Sequence, residues 1–206
     1  MHRRRVLERA SFGALLGLAG CLGENNTADD PSDTESTASM DDTESAIPDI
    51  DAQSCPPYET DHDRVVCSHT VDPDSATVFL EPSPRRSTVV DGTPESEVTL
   101  TLHNRSDSEL TFNPYSWQLR SDSGSGWREL QQDRAGNGTL TVSAGETHTW
   151  SLVDAVTAVR EEPDLDPGLY AMELTVPDPE RESDRIACIA LVRLEAGEES
   201  ETDERA

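Results

Sequence analysis

The second half of the chain alternates between apolar and polar residues, as a strand does when one of its faces is buried. Within residues 97–103, Val98, Leu100 and Leu102 fall on one face and threonines lie between them. A period of two places successive side chains on opposite faces of a sheet. Similar short runs, separated by turn residues, occur at residues 77–81, 110–112, 127–130, 139–142, 146–152 and 169–176. The pattern therefore predicts a series of short strands.

Two further stretches complete this prediction. Ile186 to Leu194 is apolar on both faces, which predicts a central strand that is covered on both sides. Residues 153–160 have the spacing of a short helix. Short strands at regular intervals are typical of an antiparallel sandwich or barrel. We therefore predict an all-β fold with an antiparallel β-sandwich over residues 77–196, followed by an acidic disordered tail at 197–206.

The first 20 residues have the three-part layout of an export signal. A basic start precedes an apolar run from Ala10 to Ala19, which is shorter than the roughly 20 residues that span a bilayer. Leu18 to Cys21 reads Leu-Ala-Gly-Cys and resembles a lipobox, the site at which a lipoprotein precursor is cleaved and its cysteine lipidated. An N-terminal amphipathic helix with a buried cysteine is the alternative, but it does not account for the order of these features.

The basic start resembles the twin-arginine export signature. Arg3 and Arg4 are followed by one further residue and then by two apolar residues. This resemblance implies export of an already folded protein. The lipobox resemblance implies that Cys21 becomes the first residue of the mature chain and its tie to the membrane. Stable anchoring usually needs two lipid chains or a second signal, and no basic patch follows Cys21, so we expect a modification that carries two chains.

The chain is strongly acidic, with 16 basic residues, all Arg, against 42 acidic ones and a net charge of −26. Residues 1–20 hold four Arg and one Glu, so the remainder has 12 Arg against 41 acidic residues, a net charge of −29. This composition resembles that of secreted lipoproteins of extremely halophilic archaea. Disorder can also explain a charge excess, and a GC-rich genome can explain the missing Lys. The charge argues against nucleic acid as a partner, because phosphate binding needs a basic footprint.

Residues 21–54 form a predicted tether. From residue 22 onwards this segment holds ten Asp or Glu, no basic residue and few apolar ones. Such a segment cannot bury enough surface to offset its chain entropy, so we expect a disordered stalk extended by its own charge. Three Asn-x-Ser/Thr sequences make Asn25, Asn104 and Asn137 candidate glycosylation sites.

The segment 55–76 is a cysteine-containing loop. Outside the cell, thiols usually form disulfides, and we predict that Cys55 pairs with Cys67, leaving Cys188 as a small buried apolar residue. Pairing of Cys188 with either of the other two is one alternative. The other is a metal or redox site built on the four residues Cys55, His62, Cys67 and His69, although their spacing matches no standard metal template.

A local motif adds a resemblance. The sequence Asp-Pro-Gly-Leu-Tyr at residues 166–170 resembles the tyrosine corner of immunoglobulin-like sandwiches. Met172 stands where antibody domains place their second cysteine. The order of features from residue 97 to 176 also resembles the bacterial immunoglobulin-like domain of many surface lipoproteins: an apolar strand ending in Asn (98–108), Trp127 after a glycine turn, Gly-Glu-Thr (145–147) and Pro-Gly-x-Tyr (167–170). The resemblance implies an immunoglobulin-like β-sandwich used as an extracellular interaction module, and it brings no catalytic residues.

These observations predict a membrane-anchored lipoprotein on the outside of the cell that acts as a non-enzymatic binding or structural module. Its partners would be the membrane, through lipidated Cys21, and a surface protein or polymer. We predict no catalytic residue, metal or cofactor, because no Gly-x-Ser-x-Gly or His-Glu-x-x-His sequence occurs. The metal or redox protein remains an alternative, and a hydrolase that uses His148 is a weaker one. The loops 121–126 and 178–185 are the candidate contact surfaces.

Overall fold

The computed structural model describes residues 49–56 and 64–197, which all belong to one compact unit. The predictions for the export signal, Arg3 and Arg4, Cys21, most of the tether with Asn25, His62 and the acidic tail from residue 198 lie outside the described residues. In the described part, no helix is long and apolar enough to cross a bilayer.

Almost all the regular elements of the described chain are strands. In order, the elements are η1 Ile50–Ala52 (a single 3₁₀ turn), β1 Arg64–Cys67, β2 Val78–Ser83, β3 Arg86–Val90, β4 Thr93–Pro94, β5 Thr99–Asn104, β6 Leu110–Phe112, β7 Trp117–Asp122, β8 Arg128–Glu129, β9 Leu140–Val142, β10 Thr147–Ser151, α1 Leu152–Thr157, β11 Gly168–Pro177 and β12 Arg185–Ala196. The predicted all-β class is confirmed. The predicted short helix is α1, whose first turn is capped by Ser151, because the Ser151 hydroxyl accepts a hydrogen bond from the backbone N–H of Asp154 at 3.0 Å.

The strands form two facing sheets and a short ribbon. The main sheet has the order β4-β3-β12-β11-β7-β8, with β1 beside the first half of β12. The small sheet has the order β10-β5-β2, and β6 pairs with β9 as a separate two-stranded ribbon. Pairing is antiparallel except that β1 and β3 both run parallel to β12. The parallel strand β3 arises because the chain leaves β2 in the small sheet and enters the main sheet after two residues.

The strand order is that of an immunoglobulin-like sandwich. Strands β2, β5 and β10 occupy the positions of A, B and E, and β7, β11 and β12 occupy those of C, F and G. Trp117 on β7 is 1% exposed and packs edge-on against Trp150 of β10, with 5.2 Å between ring centroids. A buried Trp on strand C is a feature of this fold. The predicted immunoglobulin-like β-sandwich is therefore confirmed.

The inward-facing positions of the two sheets form the core. Alternation in β5 turns Leu100 and Leu102 inward, and both are fully buried. In β12, which was predicted to be a central strand, residues 186–192 are all buried, and this prediction is confirmed. Both faces of β12 are covered, because a second apolar cluster lies on the outer face of the main sheet. Its members are Ile50, Cys67, Leu169, Ala171, Ile189 and Leu191, with Cys55 and Trp127 packed beside them.

A disulfide holds part of this outer cover in place. Cys55 and Cys67 are bonded, with 6.0 Å between their Cα atoms, which confirms the predicted pair. Cys67 also belongs to β1, so the segment 55–76 is partly a strand of the main sheet and not wholly a loop. Cys188 is a free, fully buried thiol on β12, as predicted, and its pairing with the other cysteines is excluded.

Removing the disulfide is expected to weaken the fold. The double variant Cys55→Ser/Cys67→Ser should lose about 2–4 kcal/mol of unfolding free energy, because the unfolded chain is no longer constrained. Denaturant unfolding in concentrated salt measures this loss. Cys188→Ala, which leaves the disulfide intact, is the matched control. An unchanged midpoint for the double variant would mean that the bond adds no stability.

Candidate functional site

The outer face of the small sheet carries a layer of hydroxyl groups. Because alternate residues of each strand point outward, three cross-strand rows form, and two of them consist largely of Ser and Thr. One row is Ser83–Thr99–Ser151, and the next is Glu81–Thr101–Thr149. We call the six hydroxyl residues of this surface the threonine face: Ser83, Thr99, Thr101, Thr147, Thr149 and Ser151.

Hydrogen bonds tie part of this layer together. The hydroxyl oxygens of Thr101 and Thr149 lie 3.0 Å apart across β5 and β10. The Thr99 hydroxyl donates to the backbone oxygen of Ser83 at 3.0 Å. These cross-strand contacts hold the β-branched side chains in fixed positions. The face is thus a flat, ordered array of donors and acceptors.

The threonine face carries no formal charge, although the chain as a whole has a net charge of −26. The second row does contain one carboxylate, Glu81, whose side chain is 54% exposed and contacts His103 in the third row. Glu81 accepts a contact from His103 Nε2 at 2.8 Å. The His103 ring stacks on Phe79 with 4.5 Å between centroids, and the Arg105 guanidinium covers the same Phe79 ring at 4.9 Å. His103 therefore has a structural position at the border of the face.

One edge of the small sheet is open. Asn104 N donates to Glu146 O at 3.0 Å, and Leu152 N donates to Val98 O at 2.7 Å. These bonds join directly opposed residues, and in an antiparallel ladder every second residue of a strand is bonded to its neighbour. The residues in between, Thr147, Thr149 and Ser151, therefore point their backbone N–H and C=O groups away from β5. Immunoglobulin constant domains place strand D at this edge. Among the described residues, no strand pairs with this side of β10.

The segment that could have formed strand D lies elsewhere. Residues 130–139 contain no strand and pass over Tyr115, where Gly136 and Gly138 approach the ring so closely that a Cβ on Gly136 would lie 2.4 Å from Tyr115 Cβ. The Asn113 side-chain amide donates to Gly136 O at 3.0 Å. The lack of a side chain at these two glycines thus allows the close approach to Tyr115, and the Asn113 hydrogen bond holds the segment there.

The predicted tyrosine corner is present. The Tyr170 hydroxyl donates to the backbone oxygen of Asp166 at 2.8 Å, four residues upstream, as in immunoglobulin-like domains. Burial of the ring, together with the negative charge of Asp166, raises the pKa of Tyr170 to about 12. Burial also raises the pKa of the Cys188 thiol to about 12.

These two pKa shifts predict loss of stability at alkaline pH. Both groups are neutral when protonated, and the folded state holds the proton more tightly than the unfolded state does. Their contribution is therefore complete below their ordinary pKa values of 9.0 and 10.0 and is lost as the pH rises to about 12. Unfolding measured over that range should show a steady decline that is shallower in Tyr170→Phe and in Cys188→Ala. Tyr115→Phe, at a tyrosine that is 45% exposed, should follow the wild type, and equal slopes in all variants would contradict the assignment.

The structure removes one predicted glycosylation site. Asn104 is fully buried, and its amide nitrogen donates to the backbone oxygens of Ser108, Val142 and Ser143 at 2.8, 3.1 and 3.0 Å. The side chain joins β5 to the turn before β10, so it is not accessible in the folded domain. Asn137 is exposed and remains a candidate glycosylation site.

The metal alternative is not supported by the described residues. Cys55 and Cys67 are joined in the disulfide, so neither thiolate is free to bind a metal. His69 Nε2 contacts the backbone oxygen of Gln53 at 3.0 Å, which places this histidine beside the disulfide segment. Within residues 49–56 and 64–197, no three His, Cys, Asp or Glu residues form a metal-binding group.

The structure places the other candidate residues apart from one another. His148 lies against Trp150, with 4.4 Å between ring centroids. In the described part of the chain, no histidine hydrogen-bonds to both a serine and a carboxylate. The loop 121–126 is closed by Asp122, whose carboxylate accepts from the N–H groups of Gly124 and Gly126 at 2.8 and 3.0 Å. Arg181 pairs with Asp184 in the loop 178–185 at 3.8 Å. Neither loop presents an aromatic side chain.

The threonine face is only partly recognisable from the sequence. The alternation in residues 97–103 already placed Thr99 and Thr101 on one outward face. The alternation does not show which residues of another strand lie beside Thr99 and Thr101, because only the register of β10 against β5 brings Thr147 and Thr149 next to them.

Comparison with known proteins adds little. No protein-family model matches the chain, and no curated protein is significantly similar to it. Among solved structures, the chain is similar to the ASH/PapD-like domain 7 of human CEP192, with 15% sequence identity and a TM-score of 0.29 over 64% of this chain and 96% of that one. The assignment of the fold therefore rests on the strand order and the tyrosine corner.

Proposed function

We propose that the protein is an exported, membrane-anchored lipoprotein of an extreme halophile that binds neutral carbohydrate at the cell surface through the threonine face. The observation that carries this proposal is the sheet face lined by six hydroxyl residues, with Glu81 as the one carboxylate in its three rows, on a chain with a net charge of −26. Ordered hydroxyls exchange hydrogen bonds with sugar hydroxyls, and the Glu81 carboxylate beside them can accept further ones. The carbohydrate belongs to a surface polymer or to a glycosylated surface protein.

The anchoring part of the proposal is supported by the export layout and the lipobox at Cys21. Cys21→Ser should move the protein from the membrane fraction to the medium. Lysine at both Arg3 and Arg4 should leave the precursor inside the cell. Retention of the Cys21→Ser chain in washed membranes would overturn the lipid anchor.

The binding part is tested by removing hydroxyls without changing shape. Thr101→Val/Thr149→Val keeps two β-branched residues in place, and the matched control Thr111→Val/Thr141→Val removes a second exposed hydroxyl pair, 2.9 Å apart, on the β6–β9 ribbon. We expect cosedimentation of the Cys21→Ser chain with envelope fragments in concentrated salt to fall about ten-fold in the first variant only, since two hydrogen-bonding groups are lost.

Treatment of the fragments distinguishes the sources of the carbohydrate. Periodate oxidation of the sugars should abolish binding, whereas protease treatment should abolish it only if the carbohydrate is attached to a protein. Equal binding by wild type and Thr101→Val/Thr149→Val, or binding that survives periodate, would overturn the proposed face.

A further inference from the structure

The open edge of β10 lacks the features that normally protect an edge strand. Such edges usually carry charges, prolines or bulges that prevent pairing with another chain. The opposite edge of the small sheet is β2, which contains Pro82. In the main sheet, β4 contains Pro94, and β8 is only two residues long. Strand β10 is regular and contains neither proline nor carboxylate.

The edge also offers a regular set of backbone groups. The N–H groups of Thr147, Thr149 and Ser151 and the C=O groups of Thr147 and Thr149 point outward and have no partner among the described residues. The Ser151 C=O accepts the first hydrogen bond of α1, because Ser151 is the N-cap of that helix. A fourth strand would complete the sheet at the position of strand D. The structure therefore contains a site for strand addition, in which main-chain hydrogen bonds supply the affinity.

We propose that this site is filled by β10 of a second copy of the chain, in antiparallel orientation about a two-fold axis at Thr149. A two-fold axis at Thr149 places Thr149 opposite Thr149 and Thr147 opposite Ser151, so that hydroxyl side chains meet on the outer face. Each of the three hydrogen-bonding positions meets one of the other copy, so every unpartnered N–H of the edge gains an acceptor. The Ser151 C=O would accept its bond from the other copy as a second one, beside the first bond of α1. His148 meets Trp150, which extends the aromatic contacts already present on this side of β10.

Charge favours a second copy at this edge. Two chains of net charge −26 repel each other over most of their surfaces, but residues 147–153 contain no acidic residue. The flanking acids do not meet either. In the two-fold register, Glu146 lies opposite Leu152, and Asp154 would lie opposite Ala144. The neutral strand is thus a place where two copies can meet without bringing carboxylates together.

The result is a six-stranded sheet in the order β2-β5-β10-β10-β5-β2, with two threonine faces side by side. The proposed pairing rests on the outward direction of the backbone groups of β10 and on the open edge of this strand. It does not require that the threonine face bind carbohydrate. A five-residue contact is small compared with a stable interface, so the dimer should dissociate on dilution.

The test uses the full chain carrying Cys21→Ser, studied by analytical ultracentrifugation in concentrated salt. The chain with the wild-type sequence of β10 should form dimers as the protein concentration rises from about 10 µM to about 1 mM. Thr149→Asp and Thr149→Arg should each weaken the dimer about ten-fold or more, because like charges then face each other at the axis. Mixing these two variants should restore association. Thr141→Asp, on the exposed face of β9, is the control and should behave as wild type.

A second measurement traps the contact. Cα atoms of a hydrogen-bonded antiparallel pair are about 5.5 Å apart, within the range that a disulfide spans. Thr149→Cys should therefore give a covalent dimer on mild oxidation, and Thr141→Cys should not. A chain that stays monomeric at all concentrations, a mixture of the charged variants that does not associate, or a dimer indifferent to Thr149 would each overturn the proposal.

Discussion

Replacing Trp117 with alanine is expected to lower the free energy of unfolding by about 3–5 kcal/mol. Trp117 is 1% exposed and fills the space between the two sheets, where it contacts Trp150. Alanine would leave a cavity that surrounding β-strands cannot close, because both sheets are held by their ladders. Domains of this kind are usually stable by only about 5–15 kcal/mol, so the variant should be partly unfolded under mild conditions.

Two further variants test this interpretation by denaturant unfolding in concentrated salt. Trp127→Ala also removes an indole, but Trp127 is only partly buried and packs beside the outer cluster, so its loss should be clearly smaller. Trp117→Phe should be intermediate, since it keeps an aromatic ring and gives up an indole N–H that has no hydrogen-bond partner among the described residues. Equal losses for Trp117→Ala and Trp127→Ala would show that the inter-sheet position has no special weight.

Lowering the salt concentration should unfold the protein. Several arginines already pair with acids on the surface, such as Arg85 with Asp51 at 2.8 Å and Arg64 with Glu180 at 3.5 Å. Those pairs leave a large excess of carboxylates, which repel one another when screening is weak. The Debye length is about 3 Å in 1 M salt and about 10 Å in 0.1 M salt, so carboxylates several ångströms apart repel one another much more strongly at the lower concentration. We expect circular dichroism to show the folded spectrum at about 3 M salt and its loss at about 0.1 M.

A neutralised variant provides the control for this salt response. Asp107, Glu109, Glu161 and Glu162 are exposed, and their side chains are in none of the described ion pairs. Their replacement by the corresponding amides removes four negative charges without touching the core, and should move the unfolding transition to lower salt. A wild-type spectrum that is unchanged between the two salt concentrations would contradict the halophilic interpretation of the charge.

Local patterns predicted the parts of the fold that depend on short stretches of sequence. The alternation of Leu100 and Leu102 with threonines requires only that one face of β5 be buried. The tyrosine corner requires only the spacing from Asp166 to Tyr170, and the disulfide only two cysteines in a short segment. In each case the residues that determine the feature lie within about a dozen positions of one another, so the sequence shows them together.

Features that depend on distant segments were not predictable in this way. Strand β3 begins with Arg86 and has little apolar character before Val89, and it forms because β12 offers a parallel edge. The open edge of β10 depends on where residues 130–139 lie, and that segment is held by contacts with distant residues such as Asn113 and Val159. The burial of Asn104 likewise depends on a turn about 40 residues away. An Asn-x-Ser sequence reads the same whether its amide is exposed or enclosed.

The parallel pairing of β1 and β3 with β12 has a mechanical consequence. These two strands lie near the N-terminal side of the described chain, and β12 ends its C-terminal side. A pulling force applied between the two ends would act along parallel strands in opposite directions. It would load the hydrogen bonds of the β3–β12 ladder together, in shear, and would not peel them one after another. The Cys55–Cys67 bond carries such a force from Cys55 directly to Cys67, the last residue of β1, so it relieves β1 of most of the load and leaves β3 as the parallel strand that resists traction.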